Sequence, residues 1–132
     1  MEQYHPYIRP QENGNKTDVR WVAVTDKEGY GLLVVGMPLL SVSASHYLNG
    51  DFDPGEKKGQ RHPYDLKRRD LVTLNLDYRQ MGVGGDTSWG DRARPHPEYR
   101  LPVREYKYSF RLRPFRHAAG PALHGPGDFL RY

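Results

Sequence analysis

Apolar and polar side chains alternate most regularly over 71–79, which reads Leu-Val-Thr-Leu-Asn-Leu-Asp-Tyr-Arg. Val72, Leu74, Leu76 and Tyr78 fall on one side of an extended chain, and Thr73, Asn75, Asp77 and Arg79 on the other. The pattern returns over 105–113, where Tyr106, Tyr108, Phe110 and Leu112 alternate with Lys107, Ser109, Arg111 and Arg113. A period of two draws no stripe on a helix, so both segments are predicted as strands with one buried and one wet face. Three more strands are predicted upstream. Over 19–25, Trp21 and Ala23 share one face and Val22 and Val24 the other. The segment 31–36 follows the turn residues Asp26-Lys27-Glu28-Gly29 and is placed to pair back as a hairpin. The third, 39–48, carries Leu40, Val42 and Ala44 in phase.

No window of ten or more residues carries a convincing helical stripe, and 14 Gly and 11 Pro leave little room for long helices. The predicted fold is all-β, an antiparallel β-sandwich. Three connections are long. The 49–63 stretch is polar, and 81–97 is Gly-rich, then basic and Pro-punctuated. The 115–132 stretch has Gly and Pro without alternation and is expected to be an irregular extension, docked or loose rather than a strand.

Composition narrows the classes of function. The 132 residues suit a single domain or part of one. Ten Tyr, four Phe and two Trp supply much of the apolar content, which suits pleated, half-buried surfaces. With no cysteine, disulfides, thiolate metal sites and Cys nucleophiles are excluded. The beginning, Met1-Glu2-Gln3-Tyr4-His5-Pro6, lacks the charged-then-apolar pattern of a signal peptide. No apolar run approaches the ~18 residues of a membrane-spanning helix. A soluble protein, cytoplasmic or periplasmic, with no membrane partner is expected. The net charge of +4 raises nucleic acid as a partner, but the densest basic run, Lys67-Arg68-Arg69, is followed at once by Asp70. The six histidines, at 5, 46, 62, 96, 117 and 124, form no metal-ligand pair at helical spacing. His46 is expected on a strand, packed or touching a neighbouring domain.

Two segments resemble one known family. They are Tyr7-Ile8-Arg9-Pro10-Gln11-Glu12-Asn13-Gly14-Asn15-Lys16-Thr17-Asp18-Val19-Arg20-Trp21 and Met81-Gly82-Val83-Gly84-Gly85-Asp86-Thr87-Ser88-Trp89-Gly90. Both look like signature stretches of the last domain of family 2 β-galactosidases, which some organisms encode as a separate small subunit. Ser43-Ala44-Ser45-His46-Tyr47 and Tyr106-Lys107-Tyr108-Ser109-Phe110 lie in the order that domain would have them. The resemblance spans roughly Tyr7 to Pro114. It implies that 1–114 is a β-sandwich C-terminal domain, here only its C-terminal half to two-thirds, with some strand edges left exposed. It also implies that the acid/base and nucleophile carboxylates, with the parent enzyme's magnesium and sodium, belong to a (β/α)8 barrel absent here. A retaining glycosidase needs two carboxyl groups about 5 Å apart. No pair here matches the family's catalytic motifs, so no catalytic residue is assigned and the chain alone is expected to be inactive.

The resemblance also implies that Trp89 reaches into the catalytic pocket and stacks on the sugar. An indole covers apolar C–H faces well, and its N–H can reach a hydroxyl. The alternative is a Trp that only pins its own loop. Gly82, Gly84 and Gly85 precede no Gly-Lys-Ser/Thr, so they are read as permitting positive φ in a loop that presents Trp89, not as a phosphate loop. Asp86 and Ser88 are expected to bond that loop's backbone, with direct sugar contact as the alternative. Glu12-Asn13-Gly14-Asn15 reads as a turn, and Glu12 as an ion pair with Arg9 or Arg20 or as a brace of the pocket.

Three functions compete. In the first, the chain is a non-catalytic domain that completes a β-galactosidase, with the parent's barrel and other domains as partners and a galactoside as substrate. The second is an autonomous carbohydrate-binding module using Trp21, Tyr64 and Trp89. The third is a nucleic-acid-binding β-domain. It is disfavoured because aromatic and basic residues of 106–113 fall on opposite faces.

Overall fold

Two long strands joined by a tight turn form the centre of the computed structural model. It describes residues 5–8, 13–53, 55–56, 62–87, 89–116 and 128–131, the last segment by backbone alone. Strands β1 (Lys16–Thr25) and β2 (Tyr30–Ser45) pair antiparallel. Asp26 closes the turn between them. Its Oδ1 accepts from the Tyr30 N–H at 2.8 Å, and its own N–H donates to the Tyr30 carbonyl at 2.8 Å. Gly29 takes φ 85°, which a side chain would resist.

The segments 31–36 and 39–48, expected as two strands, are one strand that stops at Ser45. Gly36 and Pro38 suggest a break because proline offers no N–H to a ladder. The sheet absorbs them in a bulge: two steps along β1, Val19 to Trp21, face five along β2, Leu40 to Val35. A second irregularity separates Lys16 from Val19, and Asp18 there takes φ 56°, a region Asp tolerates better than most residues.

Strands β3 (Thr73–Asp77), β4 (Ser109–Arg116) and β5 (Asp128–Arg131) complete the set. Strand β4 runs antiparallel to β2, with Arg116 opposite Tyr30 and Ser109 opposite Met37. Strand β5 runs parallel to β1, and β3 also pairs with β2. The fold is all-β and mainly antiparallel, as expected. Among the described residues the five strands make one sheet, so a sandwich's facing layer is not among them. Among the described residues, helix is limited to the single turn α1 (Asn49–Phe52) and three short 3-10 turns.

Two expectations change near the C-terminal side. The strand predicted over 105–113 begins at Ser109 and continues to Arg116. Its apolar side is not buried either: Tyr106, Tyr108, Phe110 and Leu112 are 37%, 42%, 37% and 52% exposed. Alternation reports which side of a strand is apolar, not what lies over it. Within the stretch expected to be irregular, β4 reaches Arg116 and β5 docks on β1. Four residues are too few for a period of two to register, and the edge of β1 supplies the backbone partners. Residues 117–127 and 132 lie outside the described residues.

The chain forms two compact units, one from 1–15, 43–75 and 80–104 and the other from 16–42, 76–79 and 105–132. The second holds the buried cluster Val19, Val22, Ala23, Val34, Leu40 and Val42. Val22 and Ala23 point to opposite faces, yet each is 1% exposed, so the middle of β1 is covered on both sides. In the first unit, Ala44 and Tyr47 are buried and Tyr47 meets Phe52 edge-on at 5.6 Å.

Candidate functional site

Residues 80–104 follow an irregular path that is tied down at several points. The Gly82 N–H donates to the Tyr99 carbonyl at 2.8 Å, and the Thr87 N–H to that of Arg92 at 3.4 Å. The Thr87 hydroxyl donates to the Trp89 carbonyl at 2.9 Å and accepts from the Trp89 N–H at 3.4 Å, an Oγ-closed turn. Gly90 follows at φ 63°, and a 3-10 turn over Asp91–Ala93 brings the chain back. On this turn the Trp89 side chain stands 84% exposed.

The three glycines do not act as expected. None of Gly82, Gly84 and Gly85 has positive φ; in this loop Gly90 takes that role. Gly82 and Gly85 instead permit close approach. A Cβ on Gly85 would lie 2.2 Å from the Arg92 carbonyl oxygen and 2.3 Å from that of Arg94. One on Gly82 would lie 2.9 Å from Tyr99 Cβ, whereas one on Gly84 would meet nothing within 4 Å.

Asp86 also differs. Its carboxylate does not hold the backbone of its own loop but meets His96, with Oδ1 2.7 Å from Nε2. That hydrogen bond, with the charge of Asp86, holds the His96 imidazole above its ordinary pKa. Partial desolvation opposes the rise, Glu98 adds to it and Arg100 subtracts from it. Ser88 lies outside the described residues, as do Glu12, Arg9, His117 and His124. Gly14, in the predicted Asn-Gly turn, takes φ 79°, and Asn13 Nδ2 donates to the His5 carbonyl.

His46 sits just past β2, not on it. Its Nδ1 donates to the Arg69 carbonyl at 3.1 Å, and its Nε2 accepts from Arg68 Nη2 at 2.6 Å, an arrangement that fits a neutral ring protonated on Nδ1. Arg69 grips Asp51 with two bonds of 2.7 Å, and Asp51 also accepts from the Leu48 N–H. This network ties 46–52 to 68–69. Tyr64 is 81% exposed and stacked on His62, while Trp21 is half-buried in β1. Among the described residues, no three or more His, Cys, Asp or Glu gather where they could hold a metal ion.

The sequence model of the family described as "Beta galactosidase small chain" matches residues 1–112. The chain belongs to the β-galactosidase small-chain family. The chain is 46% identical over 114 residues to a β-galactosidase of Priestia megaterium, covering 86% of this chain and 10% of that protein. It is 38% identical over 112 residues to one of Vibrio cholerae, covering 85% and 10%. A β-galactosidase of Halalkalibacterium halodurans matches at 38% over 96 residues, covering 72% and 9%. The chain thus spans about a tenth of the length of these curated relatives. Two residues of this small-chain loop escape sequence reasoning. Thr87 closes the Trp89 turn, and its signal is the Thr-x-Trp spacing. His96 meets Asp86 across ten positions, a separation with no local signature.

Proposed function

We propose that this chain is a non-catalytic C-terminal part of a family 2 β-galactosidase. In this reading it completes the rim of the active site, and the catalytic barrel of the parent enzyme hydrolyses terminal β-D-galactosides. The observation that carries the reading is Trp89: a large apolar ring held 84% exposed by a turn whose backbone is fixed on both sides. Such a ring costs free energy in water and regains it on an apolar partner, here the C–H face of a sugar. Asp86 braces the same loop, and direct sugar contact from Asp86 or Ser88 would come after Trp89. In this reading the magnesium and sodium of the parent belong to its barrel.

The barrel and neighbouring domains of the parent are the proposed partners. The half-exposed apolar row Tyr106, Tyr108, Phe110 and Leu112 is suited to protein contact. Tyr78 beside the row is tilted 50° from Tyr106, and Tyr108 is tilted 35° from Phe110, so these rings do not form a coplanar platform. Neither nucleic acid nor a membrane enters the reading. Arg111 and Arg113 alternate with Phe110 and Leu112 along β4.

The test is a titration of the isolated chain with galactose and lactose, followed by NMR beside Trp89→Ala, then the same variant in enzyme reassembled with the rest of the parent. The chain alone should not bind. In the reassembled enzyme, loss of the indole should raise KM roughly tenfold or more, the scale of about 1.5–3 kcal/mol for an apolar side chain left unburied. Saturable binding by the isolated chain, lost in Trp89→Ala, would replace this reading with an autonomous module.

A further inference from the structure

The strongest unassigned feature is the contact between Asp86 and His96. Both side chains are largely exposed, at 65% and 51%, yet they meet at 2.7 Å across the base of the Trp89 turn. Between them lie Thr87, which closes that turn, and Gly90, its left-handed residue. Around them the chain is packed too closely to shift freely, because Gly85 abuts the carbonyls of Arg92 and Arg94. The Asp86–His96 contact joins the two ends of the stretch that carries Trp89.

We propose that His96, as imidazolium, is the positioning residue of the Trp89 loop: it holds Asp86, and the orientation of the Trp89 ring follows its protonation. The inference goes beyond the function proposed above, and only its consequence for substrate handling rests on that reading. The charged groups facing the imidazole are Asp86 and Glu98, which favour its charged form, and Arg100, which disfavours it. Because the pairing raises the folded-state value, the clasp is fully made below the ordinary histidine range of about 6.5. Its charge attraction is lost as pH rises through the raised value. A neutral imidazole can still share a hydrogen bond with Asp86 but no longer attracts it as a charge.

The experiment is NMR of the full chain from about pH 5 to about pH 9, following the His96 ring protons and the two indole N–H signals. Trp89 should show a step at the His96 midpoint, and Trp21 in β1 should not. Asp86→Asn and His96→Gln remove the pair from opposite ends, and each should abolish the step. His96→Lys, charged throughout this range, should hold the Trp89 signal at its low-pH position across the titration. A Trp89 signal that ignores the His96 midpoint would overturn the proposal, as would a step that survives His96→Gln. Neither result touches the galactoside titration, so the two readings fail separately.

Discussion

A methyl group at Gly85 would lie 2.2 Å from the Arg92 carbonyl oxygen and 2.3 Å from that of Arg94, both backbone atoms that cannot swing aside. Gly85→Ala should therefore cost about 1–3 kcal/mol, the range for overpacking, and shift the Trp89 indole resonance. Gly84→Ala, with open space around it, should stay within about 0.5 kcal/mol of the parent chain. Thermal unfolding with NMR of both variants checks the contrast. The glycine cluster was legible in the sequence as a sign of a tight loop. Which glycine is needed, and why, was not, because close approach depends on where residues 92–94 pass. The same holds for Asp86: a carboxylate in a turn is expected to bond nearby N–H groups, and a partner ten residues away appears only once the loop is folded.

The β1–β2 hairpin is where sequence and structure agree best, since Asp26 and Gly29 encode the turn and the valines encode the strands. Gly29→Ala should cost about 1–2 kcal/mol, the penalty of a left-handed side-chain residue at φ 85°. Leu40→Ala should cost about 2–5 kcal/mol, because Leu40 is 2% exposed and its removal leaves a cavity. Chemical denaturation of both variants measures these. Pro38 and Gly36 hid the continuity of β2, since a bulge is a property of a strand pair and no single strand announces it. In β1 apolar residues occupy both faces, so its alternation was weaker than that of 71–79, although β1 is the better buried.

At the scale of the molecule, the apolar row Tyr106, Tyr108, Phe110 and Leu112 is 37%, 42%, 37% and 52% exposed. Leu112→Asp should leave the stability of the isolated chain within about 0.5 kcal/mol, since the residue is 52% exposed. The same change should weaken association with the remainder of the parent, read by calorimetric titration. Strand β4 also has a second consequence. Exposed on unfolding, the apolar β4 segment can pair with another copy of the chain, as in a growing fibril. Pro114 interrupts the row of N–H donors such a copy would need, and Arg111, Arg113 and Arg116 would confront the arginines of a copy laid alongside. The strand thus carries its own brake on amyloid growth, and replacing Pro114 and Arg113 by valine should shorten the lag before fibrils form.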